Sequence, residues 1–513
     1  MKAGMFDRRH FLGGAGLLAA GGLLTSGCSR IDPRPVPKGG RVRVAGATSS
    51  VADTIDPAHQ MAVMDYIRCN MFYDGLVRLD EHQRPQMALA EALDSPDGRV
   101  WTAKVRKGVR FHDGTLLTPA DVVYSLRRHL DPAVGSTART FMAQFETIEA
   151  LGEDGLRITL TGPNADLPVI LGMQQFKIIR DQTRDFRTAN GTGPFRCTEF
   201  TPGVRSISTR FENYWRGPVR VGEVELFAIS DESARINALM SHDVDLIGEV
   251  NPRMARRLTE SGFNLLESKS GGYTDLVMRL DQRPGRSPSF VEGMKLLMDR
   301  EAMRQVIFRG YATIGNDQPI PPTNPYFNPH LAQRPFDPDK AAFLFRKAGL
   351  AGSRIPLVVS SAALHSEDMG MLVQDAAGKA GIAIDIQRRP PDGYWAHSWM
   401  KDPVGFGNIN GRPTADIIFT QFYASNAAWN ESGWHNPRFD RMLIEARGST
   451  DEDLRRSIYG EMQAMVHRES GVGIPLFLSV LDAYNPRIKG LVPRPQGGMM
   501  GYDFASSIWV EEA

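Results

Sequence analysis

Three cysteines in 513 residues cannot build a disulfide framework, and no Cys-x-x-Cys pair points to structural zinc or a redox centre. An excess of either charge is also missing, with 60 basic residues against 59 acidic ones. No net field favours nucleic acid or an anionic membrane, so no nucleic-acid partner is expected. The apolar run near the N-terminus, Gly13 to Leu24, is 12 residues long, short of the ~20 that a membrane span needs. No internal repeat of fixed period is visible. Catalytic devices are absent too: there is no GxSxG elbow, no HExxH and no phosphate-cradling GxxxxGK(S/T). The eleven histidines stand singly, and His112-Asp113 are neighbours in a turn, where side chains rarely face each other. Neither an enzyme nor a bound metal or cofactor is expected.

Hydrophobic residues make up 42% and charged residues 23%, the balance of a globular chain, and the length suggests more than one domain. Asp7-Arg8-Arg9-His10-Phe11-Leu12 followed by a glycine-diluted apolar stretch resembles a twin-arginine export signal, with an ordinary secretory signal as the alternative. Ser26-Gly27-Cys28 resembles a lipoprotein cleavage site, although Thr25 stands where leucine is usual. Cys28 is the candidate for acylation, with soluble release as the alternative; the envelope (periplasm or outer face of the cell membrane) is expected either way. Residues 1–28 are thus read as an export signal and 29–40, rich in Pro and Gly, as a tether. Cys69 and Cys197 remain, as two free thiols or as a disulfide in an oxidising compartment.

Short runs with period-2 alternation predict strands at 41–45, 101–105, 157–160, 224–229, 274–280, 355–360, 382–386 and 417–420. Thr118-Pro119-Ala120-Asp121 and Asp337-Pro338-Asp339 carry helix-start signals, and Gly349 stands where a left-handed stop is wanted. Apolar spacing predicts helices over 291–308 and 451–467, their methionines facing a core. The fold class read from this alternation is α/β, in more than one lobe.

Several stretches then match a known family in order: Asp53-Thr54-Ile55-Asp56-Pro57; Tyr73-Asp74-Gly75-Leu76-Val77; residues 101–125, ending RKGVRFHDGTLLTPADVVYS; Gly191-Thr192-Gly193-Pro194-Phe195; Asn213-Tyr214-Trp215-Arg216-Gly217; residues 231–246; Asp299-Arg300-Glu301 and residues 336–349. The chain resembles the solute-binding proteins of ABC importers of the peptide/nickel class (family 5) over nearly all of its mature length. The resemblance implies a two-lobe periplasmic-binding-protein fold of class II type with an extra subdomain on the first lobe. It places the first-lobe core in 41–75, 190–270 and 485–513, the subdomain in 76–189 and the second lobe in 271–484. It implies a monomer that captures a small polar solute, a di- or oligopeptide by default, between its lobes and delivers it to an ABC permease complex. The same cleft would also suit a chemosensory or chaperone-like binder.

Most of these motifs read as structural. Phe111-His112-Asp113-Gly114 is a turn, Gly191 to Pro194 punctuates a crossing between lobes, and Tyr214-Trp215 is a packed pair. For the ligand, peptide-binding relatives use a Gly-Asp step in the second lobe. Here that step falls at Gly411-Arg412, and a guanidinium favours a carboxylate or phosphate over an ammonium, leaving room for an anionic or opine-like solute. Asp416 is the alternative acid, or the partner that neutralises Arg412. Aromatic residues cluster around the step, and Trp399, Tyr423 and Trp429 are candidate contacts. Thr48 and Ser49 after the first strand, Gln174-Gln175, and Tyr273 after Gly271-Gly272 complete the candidate site.

Overall fold

The computed structural model describes residues 38–511; the export signal, the Cys28 acylation site and most of the tether lie outside them. Strands and helices are mixed throughout, and the main sheet has ten strands. At one end, Arg41–Gly46 runs parallel to Glu223–Ala228, which is followed outward by Arg205–Arg210 and Phe195–Thr201. At the other end lies Val404–Ile409.

Two long strands join the two ends. Asn264–Met278 pairs with Leu476–Tyr484 through residues 264–269, is interrupted by a bulge between Lys269 and Tyr273, and then pairs with Val404–Ile409 through 273–278. The bulge contains Ser270-Gly271-Gly272, and bulges re-aim a strand and its side chains. The sheet therefore changes partners at the point where the cleft opens.

Separate cores back the two ends. Val42, Ile67, Phe72 and Leu226 belong to one buried cluster, and Trp101, Phe111, Val122 and Ile158 to a second, built on the four-stranded sheet. Phe290, Leu357 and Phe406 form another, and Phe419, Tyr459 and Met465 a fourth. The methionines Met294, Met298, Met462 and Met465 are all buried, as their helical spacing predicts.

Start signals act as the sequence implies. Asp121 accepts from both the amide and the hydroxyl of Thr118 at the start of Pro119–Arg128, and Asp337 caps Pro338–Lys347, after which Gly349 takes φ +72°. Asp113 accepts from the Thr115 amide while Gly114 takes φ +90°, closing the Phe111–Gly114 turn. Gly191 and Gly193 lie against the end of the Val63–Phe72 helix, so close that a Cβ on Gly193 would stand 2.5 Å from the Phe72 carbonyl carbon.

Two elements differ from the sequence reading. Residues 417–420 are helical, inside Ala415–Phe422, because the Thr414 hydroxyl accepts from the Ile417 amide and Asp416 sits in the first turn; the β-branched run is overridden by its cap. The 291–308 segment is two helices, Pro288–Leu296 and Arg300–Val306, because Asp299 caps a new start at the Ala302 amide. Cys69 and Cys197 are both free thiols, Cys69 buried among apolar side chains. None of the described helices is long and apolar enough to cross a membrane.

Candidate functional site: an interlobe cleft

A cavity of about 870 Å³ lies over the strand bulge. That is within the range of small-molecule sites, ~300–1,000 Å³. The floor is Ser270-Gly271-Gly272-Tyr273. Gly411 stacks against this floor, since a Cβ on it would be 3.2 Å from the Gly271 backbone. The close approach fixes the loop that carries Arg412.

Arg412 is half-buried and faces the cavity. Nε donates to Gln421 Oε1 at 2.7 Å and Nη1 to the Asn410 carbonyl at 3.0 Å, and the guanidinium lies 5.4 Å from the Phe422 ring centroid. All these partners are neutral, and no carboxylate stands within ion-pair distance among the described residues. Burial lowers its pKa from the ordinary value, partly offset by the Tyr273 and Tyr66 hydroxyls nearby. A desolvated cation with spare donors is suited to an anion.

The facing wall comes from the Val63–Phe72 helix and a C-terminal loop. Tyr66 and Tyr502 have ring centroids 5.2 Å apart. Asn70 Nδ2 donates to Gln174 Oε1 at 3.0 Å and to the Tyr502 carbonyl at 3.3 Å, and Gln174 Nε2 donates to the Gly501 carbonyl at 3.2 Å. These bonds hold a loop in which three non-glycine residues, Met499, Met500 and Tyr502, take φ of 49°, 59° and 71°. Such left-handed conformations cost of order 1–3 kcal/mol each and persist where the surroundings impose them. Below the loop, Asp482 is fully buried, accepts from the Met499 amide and leaves Oδ1 without a partner. Desolvation pushes its pKa up to about 7.

Five of the ten candidate residues line the cavity: Thr48, Gln174, Gln175, Tyr273 and Arg412. The others do not. Asp416 is buried and points to Arg447, whose Nε donates to it at 2.9 Å; it neither neutralises Arg412 nor offers an acid to the cleft. Trp399 donates from Nε1 to the buried Glu431 at 2.5 Å and packs on Trp395. The Tyr423 ring is core, its hydroxyl 3.4 Å from that of Tyr273. Trp429 stacks on Phe422 at the surface, outside the cavity. The Ser49 hydroxyl is taken by Asp53. The aromatic cluster of 395–429 thus mainly packs on itself and on neighbouring side chains. Tyr66, Asn70 and Tyr502 escaped the sequence reading. The run Gly497-Gly498-Met499-Met500-Gly501 was the available signal, since glycine around an apolar pair marks an irregular loop. Among the described residues, no group of three or more His, Cys, Asp or Glu side chains could hold a metal ion.

Fold and cavity together describe a two-lobed α/β protein with a cleft between its lobes. Residues 84–431 match the sequence model described as bacterial extracellular solute-binding proteins, family 5 Middle, and the chain belongs to that family. It is 27% identical over 463 residues to heme-binding protein A of Haemophilus influenzae, covering 81% of this chain and 82% of that one. It is 24% identical over 456 residues to the dipeptide-binding protein of Escherichia coli, covering 80% and 84%. Among solved structures, HbpA2 from Haemophilus parasuis superposes with a TM-score of 0.83 at 20% identity, covering 92% of this chain and 100% of that one. DppA from Helicobacter pylori in complex with peptide STSA gives 0.76 at 21%, covering 92% and 98%.

Proposed function

We propose that this chain is the receptor of an ABC importer for a small, carboxylate-bearing solute of peptide or opine-like size, which it hands to a membrane permease after the lobes close on it. The supporting observation is Arg412: a half-buried guanidinium in the cleft with only neutral partners. Relatives named for dipeptides and for glutathione support a solute of that size. The Tyr66–Tyr502 pair supports an apolar or planar portion beside the carboxylate. In this reading Arg412 grips the carboxylate, Gln175 and Thr48 supply secondary hydrogen bonds, and no bond in the solute is broken.

The test is a calorimetric comparison of dipeptides with their C-terminal amides. The free acids should bind more tightly by about 1.5–3 kcal/mol, and Arg412→Ala should remove that preference. Acids and amides binding alike would sink the carboxylate reading.

The address is part of the same proposal. Arg8 and Arg9 support export by the twin-arginine route and Cys28 supports lipid anchoring. Arg8→Lys with Arg9→Lys should strand the precursor in the cytoplasm, as fractionation would reveal; normal delivery would refute this route.

A further inference from the structure

The cavity wall carries a second set of cations. Arg78 lies on the short strand Val77–Leu79, Lys177 follows the Leu167–Leu171 helix, Arg216 follows the Tyr214–Trp215 pair, and Arg494 precedes the left-handed loop. All four line the same cavity as Arg412. They come from segments far apart in the chain, so local sequence did not gather them; the fold did.

None of the four has a carboxylate within ion-pair distance among the described residues. The Arg216 guanidinium lies over the face of Trp215, 5.8 Å from its centroid. Arg494 Nε is buried with no hydrogen-bond partner. Two acids stand nearby, Asp74 and Asp503. The Asp74 oxygens are already engaged by neutral donors: Tyr214 OH at 3.1 Å, Trp215 Nε1 at 2.8 Å and Thr192 Oγ1 at 3.2 Å. Glu232 and Glu249 also line the cavity, but Glu232 accepts from the Asn251 amide and Glu249 faces Arg235, so the acids that act on Arg78 and Lys177 are Asp74 and Asp503, two against four cations. Burial pulls Arg78 and Lys177 below their ordinary pKa values, and Arg216 and Arg494 press Arg78 further in the same direction. Arg78, Lys177 and Arg494 are half-buried and Arg216 is exposed; unpaired, partly desolvated like charges are costly unless something compensates them.

We propose that Arg78, Lys177, Arg216 and Arg494 form an oxyanion subsite at the first-lobe end of the cleft, which takes a dianionic, phosphate-type group of the solute. A phosphate monoester carries the two charges the cluster lacks and presents three acceptor oxygens to diverging donors. Tyr502 adjoins Asp503 in the chain and packs on Tyr66, which faces Arg412, so the aromatic pair lies between the two anion seats. The proposal rests on the solute-receptor reading and narrows it to solutes charged at both ends.

Inorganic phosphate is the probe, titrated into the purified chain in sulfate-free buffer at constant ionic strength, with chloride as control. Phosphate should raise the melting midpoint and chloride should not. Lys177→Gln with Arg494→Gln should weaken phosphate binding by at least about tenfold, whereas Arg412→Gln should change it by less than about threefold. The ligand-free midpoint of the double variant should hold or rise, because repulsion is relieved. Equal responses to phosphate and chloride would overturn the subsite. So would an undiminished phosphate response in the double variant, or a fall in its ligand-free midpoint, which would assign these cations to the fold. Loss of the acid-over-amide preference with the phosphate response intact counts against the carboxylate seat alone, and the reverse against this subsite alone.

Discussion

Single residues carry the sharpest expectations. Arg412 and Asp416 stand four apart in sequence yet serve different ends, the first facing the cleft and the second held by Arg447. Asp482 offers a test by pH. Its folded pKa, about 7, lies above the value near 3.8 of a free carboxyl, so the protonated form favours folding. That contribution is whole below about pH 4 and is lost as the pH rises to about 7. Asp482→Asn should flatten this slope and raise stability at pH 8 by about 2–4 kcal/mol, checked by urea unfolding at pH 5 and pH 8. An unchanged slope would mean that the carboxyl is ionised in the folded chain. The sequence did not disclose this group, because burial is set by the loop folded over it from residues 497–502.

At the scale of elements, the helix after Arg412 shows what local pattern can and cannot give. The β-branched run of 417–420 reads as a strand, and only the cap at Thr414 decides otherwise. Thr414→Ala should cost about 1 kcal/mol of stability and also weaken carboxylate binding, because the capped helix carries the Gln421 that holds Arg412. Normal affinity with lowered stability would separate the helix from the site. The turn at Gly191–Gly193 is a second case. Gly193→Ala would drive a methyl into the Phe72 and Met71 backbones and should destabilise by about 3 kcal/mol, read as a lower denaturation midpoint. Caps, turns and strand alternation were legible because they are encoded within a few residues. The cleft's aromatic pair was not, since Tyr66 and Tyr502 meet across more than four hundred residues of chain.

For the whole molecule, two lobes share one sheet through two long strands, and the family to which the chain belongs captures solutes. The fold class was legible because its motifs recur in order along the chain; which side chains meet in the cleft depends on how distant segments converge. Closure on a tightly bound solute should reduce the radius of gyration seen by small-angle scattering. A ligand at ~100 times its Kd should also add about 2.7 kcal/mol of stability. An unchanged radius on saturation would argue against hinge closure. Gly40, just before the first strand, packs against Val510 in the final strand, with a Cβ there only 3.1 Å from a Val510 methyl. The two ends of the folded body are therefore a splice point. Joined by a short linker and reopened at an exposed turn such as Gly135 (φ +67°), the same chain should fold as a circular permutant, letting a reporter be moved off this end without rebuilding the cleft.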